Sequence, residues 1–322
     1  MKSKLTGIAF AVHVGCMPLA LAQYPGWQQQ GSLFVLTTPE GADLLASAKV
    51  LEFPLLVRLD KDFFPFAQAK PQGEDLRFSA GGKPLAFQIE EWNATAGTAS
   101  VWVRVPVIEG NARQELKLHW GKADAASESN GGAVFVADNG FASVIHMTEV
   151  LKDELGTVTP VDAGTTAAAG MIGGGRHFAA GKGINCGDHI TTYPFGDNPS
   201  TTEAWFRPEA AGSTIVYWGR YATRLNGNTG DGNEVGLNIG SPPVLGWASD
   251  GPGGAGATSP IGMGQWLHVA ATYDNGISRI YINGKQEGIR EGKAAMSVVK
   301  DVCMNIGGMR GGNVSVLGLN DR

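Results

Sequence analysis

The chain alternates. Phe53, Leu55, Val57 and Leu59 occupy one phase of a period-two pattern, with Leu56 and Arg58 on the other. Phe87, Ile89 and Glu91 alternate with Gln88, Glu90 and Trp92, and Val101, Val103 and Val105 with Trp102 and Arg104. Successive side chains of a strand point to opposite faces, so this spacing predicts half-buried strands. Gly81-Gly82-Lys83-Pro84 and Glu109-Gly110-Asn111 separate them as turns, and Leu116, Leu118 and Trp120 close the series. Between Asp62 and Lys70 one helical turn is expected, limited by Pro65. Strands with no amphipathic helix between them can bury their apolar faces only sheet on sheet, which predicts an antiparallel β-sandwich. With 47 glycines and 17% charged residues, the composition fits short strands and turns and excludes a coiled coil.

A length of 322 residues suggests about two domains. Past Lys122 the chain turns small and polar, a strand is expected from Phe141 to Met147, and Gly156 to Gly183 reads as a Gly/Ala/Thr-rich linker or long loop. A second run of strands starts near Ile184, with its clearest pieces at Thr202–Phe206, Thr214–Trp218, Glu234–Ile239, Trp266–Tyr273 and Arg279–Ile282. Asn283-Gly284 is a type I′ hairpin signal, because both central residues need positive φ. It sets Ile280-Tyr281-Ile282 against Lys285-Gln286-Glu287. The expected domains are therefore 23–148 and 184–322, joined by 149–183.

Lys2 and Lys4, the mainly apolar run from Leu5 to Leu19 and the small-x-small site Ala20-Leu21-Ala22 read as a secretory signal peptide over residues 1–22. This predicts an exported chain, in the periplasm, at the cell surface or outside the cell, beginning near Gln23. Lipid attachment at Cys16 is the rival, weakened by the His13-Val14-Gly15 that precedes it. No later run is apolar enough for a membrane span. The formal net charge of −5 gives no electrostatic footprint for nucleic acid. Two cysteines remain after the leader, Cys186 and Cys303; in an oxidising compartment they are a disulfide candidate, and two buried thiols are the alternative.

Four segments then point to a family: Glu203-Ala204-Trp205-Phe206-Arg207-Pro208, Trp266-Leu267-His268-Val269-Ala270-Ala271-Thr272-Tyr273-Asp274, Tyr281-Ile282-Asn283-Gly284-Lys285 and Asn305-Ile306-Gly307-Gly308. In type and order they resemble the laminin-G-like, concanavalin A-like jelly rolls. The resemblance implies two packed antiparallel sheets with binding loops at one rim, and a lead-in strand within Gly170–Phe178. It also implies a closing strand after Ile306-Gly307-Gly308; here Val314–Leu317 replaces it in part or the chain is truncated. Phe53–Leu59, Gly73–Phe78, Gln88–Trp92 and Val101–Pro106 are similar to an uncharacterised exported bacterial domain fused to such modules. That family is associated with ExbB/TolQ/MotA-type biopolymer-transport systems, and it implies architecture and compartment but no chemistry. The fold class expected is all-β, an N-terminal antiparallel sandwich followed by a concanavalin A-like jelly roll.

Catalytic signatures are missing. A jelly-roll glucanase carries Glu-x-Asp-x-x-Glu on one strand, and no such strand is present. Glu90 and Glu91 are adjacent and are expected on opposite faces. His268 shares a strand face with Trp266, Ala270 and Thr272 and reads as a packed histidine. Gly251–Gly256 matches Gly-x-Gly-x-x-Gly but precedes no helix, so it reads as a loop. Trp218, Tyr221 and Trp247 flank loops rich in Asn, Gly and Asp and are the candidate ligand-binding residues, since a sugar ring needs apolar stacking and oriented hydrogen bonds; sandwich core is the alternative. Asp197, Asn198, Asp231 and Asn233 are calcium candidates, with solvated turns as the alternative. The function expected is an exported, non-catalytic module binding a glycan or protein ligand. A polysaccharide hydrolase or lyase, or a structural part of an envelope transport assembly, are the alternatives.

Overall fold

The computed structural model describes residues 10–11, 23–187, 189–196, 198–220, 233–239, 245–249, 254–292 and 302–307, and divides into two compact units at Phe141/Ala142. The first unit holds β1 (Phe10–Ala11), β2 (Gln29–Leu36), β3 (Lys49–Asp60), β4 (Arg77–Ala80), β5 (Lys83–Leu85), β6 (Phe87–Asn93), β7 (Thr98–Glu109) and β8 (Arg113–Trp120). A five-stranded sheet, β1-β2-β8-β4-β5, and a three-stranded sheet, β3-β7-β6, are both antiparallel. Val57, Leu59, Val101, Val103, Leu116, Leu118 and Trp120 are buried in one cluster, the phases the alternation assigns to the core. Phe53 departs from it: Glu52 takes φ 52°, the ladder skips that residue, and Phe53 is 40% exposed. The helical turn is a 3-10 helix over Phe66–Gln68, directly after Pro65.

A buried carboxylate organises the loops of this unit. Asp75 accepts backbone N–H bonds from Lys70 (2.8 Å), Gly121 (2.6 Å) and Lys122 (3.1 Å). Nearby, His119 is buried with Nε2 3.3 Å from Ser79 Oγ and its ring 4.9 Å from that of Tyr24. Burial, aided by the Lys117 charge, holds the imidazole down to about 4. The folded state therefore keeps His119 neutral while the unfolded chain takes up a proton below about 6.5, so stability falls as pH drops from 6.5 towards 4. His119→Gln should flatten that part of the stability–pH curve by roughly 2 kcal/mol in urea unfolding. An unchanged curve would show that His119 does not drive it.

The second unit holds β9 (Val161–Ala163), β10 (Thr166–Ala169), β11 (Gly174–His177), β12 (Gly183–Asn185), β13 (Ser200–Phe206), β14 (Ser213–Arg220), β15 (Asn233–Ile239), β16 (Leu245–Ser249), β17 (Ala255–Gly256), β18 (Leu267–Asp274), β19 (Ile277–Ile282), β20 (Lys285–Glu291) and β21 (Cys303–Gly307). A seven-stranded sheet, β17-β16-β15-β14-β21-β12-β9, and a four-stranded sheet, β13-β18-β19-β20, enclose one core containing Ile184, Leu245, Val269, Tyr273 and Ile280. The hairpin forms at Asn283-Gly284, with φ 50° and 77°. Its ladder pairs Ile280 with Gly288, not Glu287, because a bulge intervenes after Tyr281↔Gln286. At Gly288 a Cβ would lie 2.1 Å from the Gly256 carbonyl oxygen, which fixes glycine there.

Three expectations change. Phe141–Met147 contains no strand, only an isolated bridge from Ile145 to Asp153. The linker part of the expected linker and lead-in, 149–183, is built into the second unit: β9 pairs with β12, β10 pairs with β11, which lies within the lead-in expected at Gly170–Phe178, and Val158 lies in the core. Asp153, also buried, accepts N–H bonds from Val144 (2.8 Å), Leu155 (3.3 Å), Thr157 (2.7 Å) and Val158 (3.1 Å). The disulfide is the third. Asn185 pairs with Asn305 and Cys186 N–H bonds to the Met304 carbonyl, which leaves Cys303 one residue out of step. One step on a strand is a change of face, so Cys186 joins the core while Cys303 donates its thiol to the Gly219 carbonyl at 3.1 Å. Both are buried, and no sulfur–sulfur bond joins them. Val314–Leu317 lies outside the described residues.

Candidate functional site

The four-stranded sheet turns one face to the core and the other to solvent. On β13, Ala204 and Phe206 pack against the core, and Thr201, Glu203 and Trp205 take the opposite phase and are exposed, Trp205 by 42%. On β18, Leu267, Val269, Ala271 and Tyr273 are buried and His268, Ala270 and Thr272 face outward, half-buried. The ladder sets Trp205 beside His268, Glu203 beside Ala270 and Thr201 beside Thr272. On the far side of β18, Ala270 pairs with Tyr281 and Thr272 with Arg279; Tyr281 and Arg279 pair in turn with Gln286 and Ile289 of β20.

Contacts hold these side chains in place. The Trp205 and His268 rings lie 5.1 Å apart at 54°, and His268 Nε2 is 3.7 Å from Glu203 Oε2. The Asn283 side-chain oxygen accepts the His268 N–H at 2.9 Å, which ties the hairpin turn to the start of β18. One step beyond the ladder, the Arg207 guanidinium lies 5.7 Å from the centre of the Trp266 ring. Arg207 also pairs with Glu209 (3.3 Å), whose other oxygen is 3.0 Å from His177 Nε2. Hydrogen bonds from His177 and then Arg207 hold the Glu209 carboxyl below its usual range. The face therefore offers indole and phenol rings for the C–H face of a sugar, with carboxylate, imidazole, guanidinium and amide groups around them for its hydroxyls.

The residues singled out in the sequence fare differently. Trp218 is 4% exposed: it stacks edge-on against Tyr193 at 5.8 Å and donates from Nε1 to Thr202 Oγ1 at 3.2 Å, so it belongs to the sandwich core and not to a binding surface. Tyr221, Asp197 and Asp231 lie outside the described residues, as do the side chains of Trp247 and Asn233, whose backbones run in β16 and β15. Asn198 is exposed, its N–H bonded to the Phe195 carbonyl at 3.2 Å. Among the described residues no group of three or more His, Cys, Asp or Glu could hold a metal ion. Glu90 and Glu91 correct a further expectation. The β6–β7 ladder skips Glu90, which accepts the Trp102 Nε1–H at 2.5 Å, while Glu91 pairs with Ser100. Trp102 and Ser100 share a phase of β7, so the bulge brings both carboxylates to one face of the sheet.

Trp205, Glu203 and Tyr281 were in plain view as family motif residues. Their exposure was readable from phase alone, since each alternates with a core residue: Ala204 and Phe206 around Trp205, Ile280 and Ile282 around Tyr281.

Two antiparallel sheet architectures, the second a seven-stranded sheet against a four-stranded one, define an all-β chain with a concanavalin A-like second domain. Residues 72–148 match a domain of unknown function, DUF2341. Residues 182–322 match the concanavalin A-like lectin/glucanases superfamily. A search of curated proteins finds no match. Among solved structures, domain 4 of AbnA, an extracellular arabinanase from Geobacillus stearothermophilus in complex with arabinotriose, is similar at 19% identity, covering 51% of this chain and 82% of that one with a TM-score of 0.38. The binding domain of Paraclostridial Mosquitocidal Protein 1 is similar at 13% identity, covering 51% and 47% with a TM-score of 0.35. No described helix is long and apolar enough to cross a membrane.

Proposed function

We propose that the second domain is a glycan-binding module of an exported protein and holds its polymer without cleaving it. The observation that carries this reading is the solvent-facing Trp205, set among His268, Glu203 and Tyr281 on an open sheet face. The superfamily match supports it, because lectins stand in that description beside glucanases. Against cleavage, the sequence lacks the Glu-x-Asp-x-x-Glu strand that a jelly-roll glucanase uses to set its carboxylates on one face. Trp205→Ala should weaken binding to a retained glycan by about tenfold, the loss of one stacking platform, with the urea midpoint unchanged. Retention measured by affinity electrophoresis checks it. Release of reducing sugar from the same polymer would replace this reading with a hydrolase.

Export rests on the leader and is tested together with the thiols. Intact mass of the secreted protein should place its start at Gln23. Alkylation should add no label to the native chain, because burial pushes the Cys186 thiol up to about 12 and Cys303 is equally enclosed, and should label both cysteines after denaturation. A retained Met1, or no label after denaturation, contradicts the cleavage or the thiol assignment respectively.

A further inference from the structure

We infer that the ligand of this face is an uncharged polysaccharide lying across the strands, in a trough floored by Ala270. This rests on the glycan-binding reading and assigns it a ligand class and a direction. Ala270 is the smallest outward side chain of the central strand β18, and it is only partly buried, so the row keeps access to solvent at its middle. Its row runs Glu203–Ala270–Tyr281–Gln286 across all four strands. Trp205 and His268 border the row on one side, and Thr272 and Arg279 on the other. Three inter-strand spacings make this path about 14 Å long, more than one sugar ring can occupy. A chain laid along it meets the indole at its flank, the phenol in its path, and a carboxylate and a carboxamide at its two ends.

Charge decides the class. Arg279 stands on this face against Glu203, Asp274 and Glu291, and Arg207, just past the end of β13, is already paired with Glu209. An acidic polymer would meet a face with more carboxylates than guanidiniums, and no basic cluster offers it counterion release. A protein partner is disfavoured by the apolar distribution: the exposed large hydrophobics here, Trp205 and Ile289, stand on opposite edge strands, and a protein interface needs a contiguous apolar centre. Stacking and neutral hydrogen bonds remain, and these suit an uncharged glycan.

The test is affinity electrophoresis of the full chain through gels containing xyloglucan, mannan or starch as uncharged polymers and polygalacturonate or alginate as acidic ones. At least one uncharged polymer should retard the protein, with less than about a twofold change on raising salt to ~0.5 M. Ala270→Arg, which fills the trough, should reduce that retardation by about tenfold at an unchanged urea midpoint. Where Ala270→Arg shifts the midpoint, Tyr281→Ala at the next position of the row serves instead, with the same loss expected. Retardation by acidic polymers alone, or its collapse in salt, overturns the ligand class and leaves glycan binding standing. Full binding by both variants overturns the trough. Passage through every gel unretarded overturns this inference and the glycan-binding reading together.

Discussion

Trp218→Ala should unfold the second unit more readily by about 3–5 kcal/mol, the range for deleting a large buried aromatic, and not act as a binding mutation. The indole sits on β14 between β15 and β21, level with Val235 and Met304, with the Tyr193 ring packed against it at a near-perpendicular 86°. Its removal leaves a cavity between the sheets and takes from the Thr202 hydroxyl the N–H it accepts. Urea unfolding followed by amide exchange, resolved to the two units, should show the loss in residues 142–322 while the first unit keeps its protection. Phenylalanine at the same position should recover most of the stability, since it restores ring volume without the N–H. A Trp218→Ala chain with an unshifted midpoint and no glycan retention would return this residue to the binding surface.

Asp153→Ala should be comparably severe, about 3–5 kcal/mol, although it removes only a carboxylate. Four backbone N–H groups converge on its two oxygens, and each loses its acceptor, that of Val158 in the core and those of Val144, Leu155 and Thr157 at partly buried positions. Asp153→Asn separates the causes. It keeps the side-chain volume but turns an N–H₂ towards two of the four donors, so it should destabilise nearly as much as alanine. If asparagine is tolerated, packing and not the amide cage explains the position. Thermal or urea midpoints of the two variants decide between them.

Where strands carry their own alternating apolar phase, the sequence was sufficient. β7 and β8 and the Asn283-Gly284 hairpin were legible because local pattern and tertiary burial agree there. The region 149–183 was not, for the opposite reason. Val161–Ala163 and Thr166–Ala169 are almost wholly exposed and are strands only because β12 and β11 pair with them, a cause that composition does not display. Trp218 lies in the continuous apolar run Ile215-Val216-Tyr217-Trp218, where period two cannot say which phase is buried. The cysteines and Glu90-Glu91 failed on register. A one-residue offset sets the thiols on opposite faces, and a one-residue bulge sets the carboxylates on the same face. Both are properties of a pairing partner, invisible along a single strand.

The two buried aspartates also differ in when they can act during synthesis. The most distant acceptor–donor pair at Asp153 spans nine residues, so its cage closes as soon as its own stretch of chain is out of the ribosome. Asp75 reaches Lys70 five residues away, but its other oxygen waits for Gly121 and Lys122, 46 and 47 residues later. At translation rates of about 5–20 residues per second, that is a delay of several seconds in which β3 to β7 exist without their anchor. The first unit is thus the one whose nascent chain has to close a long loop before it gains its fixed point, and the later-made unit holds the more local one.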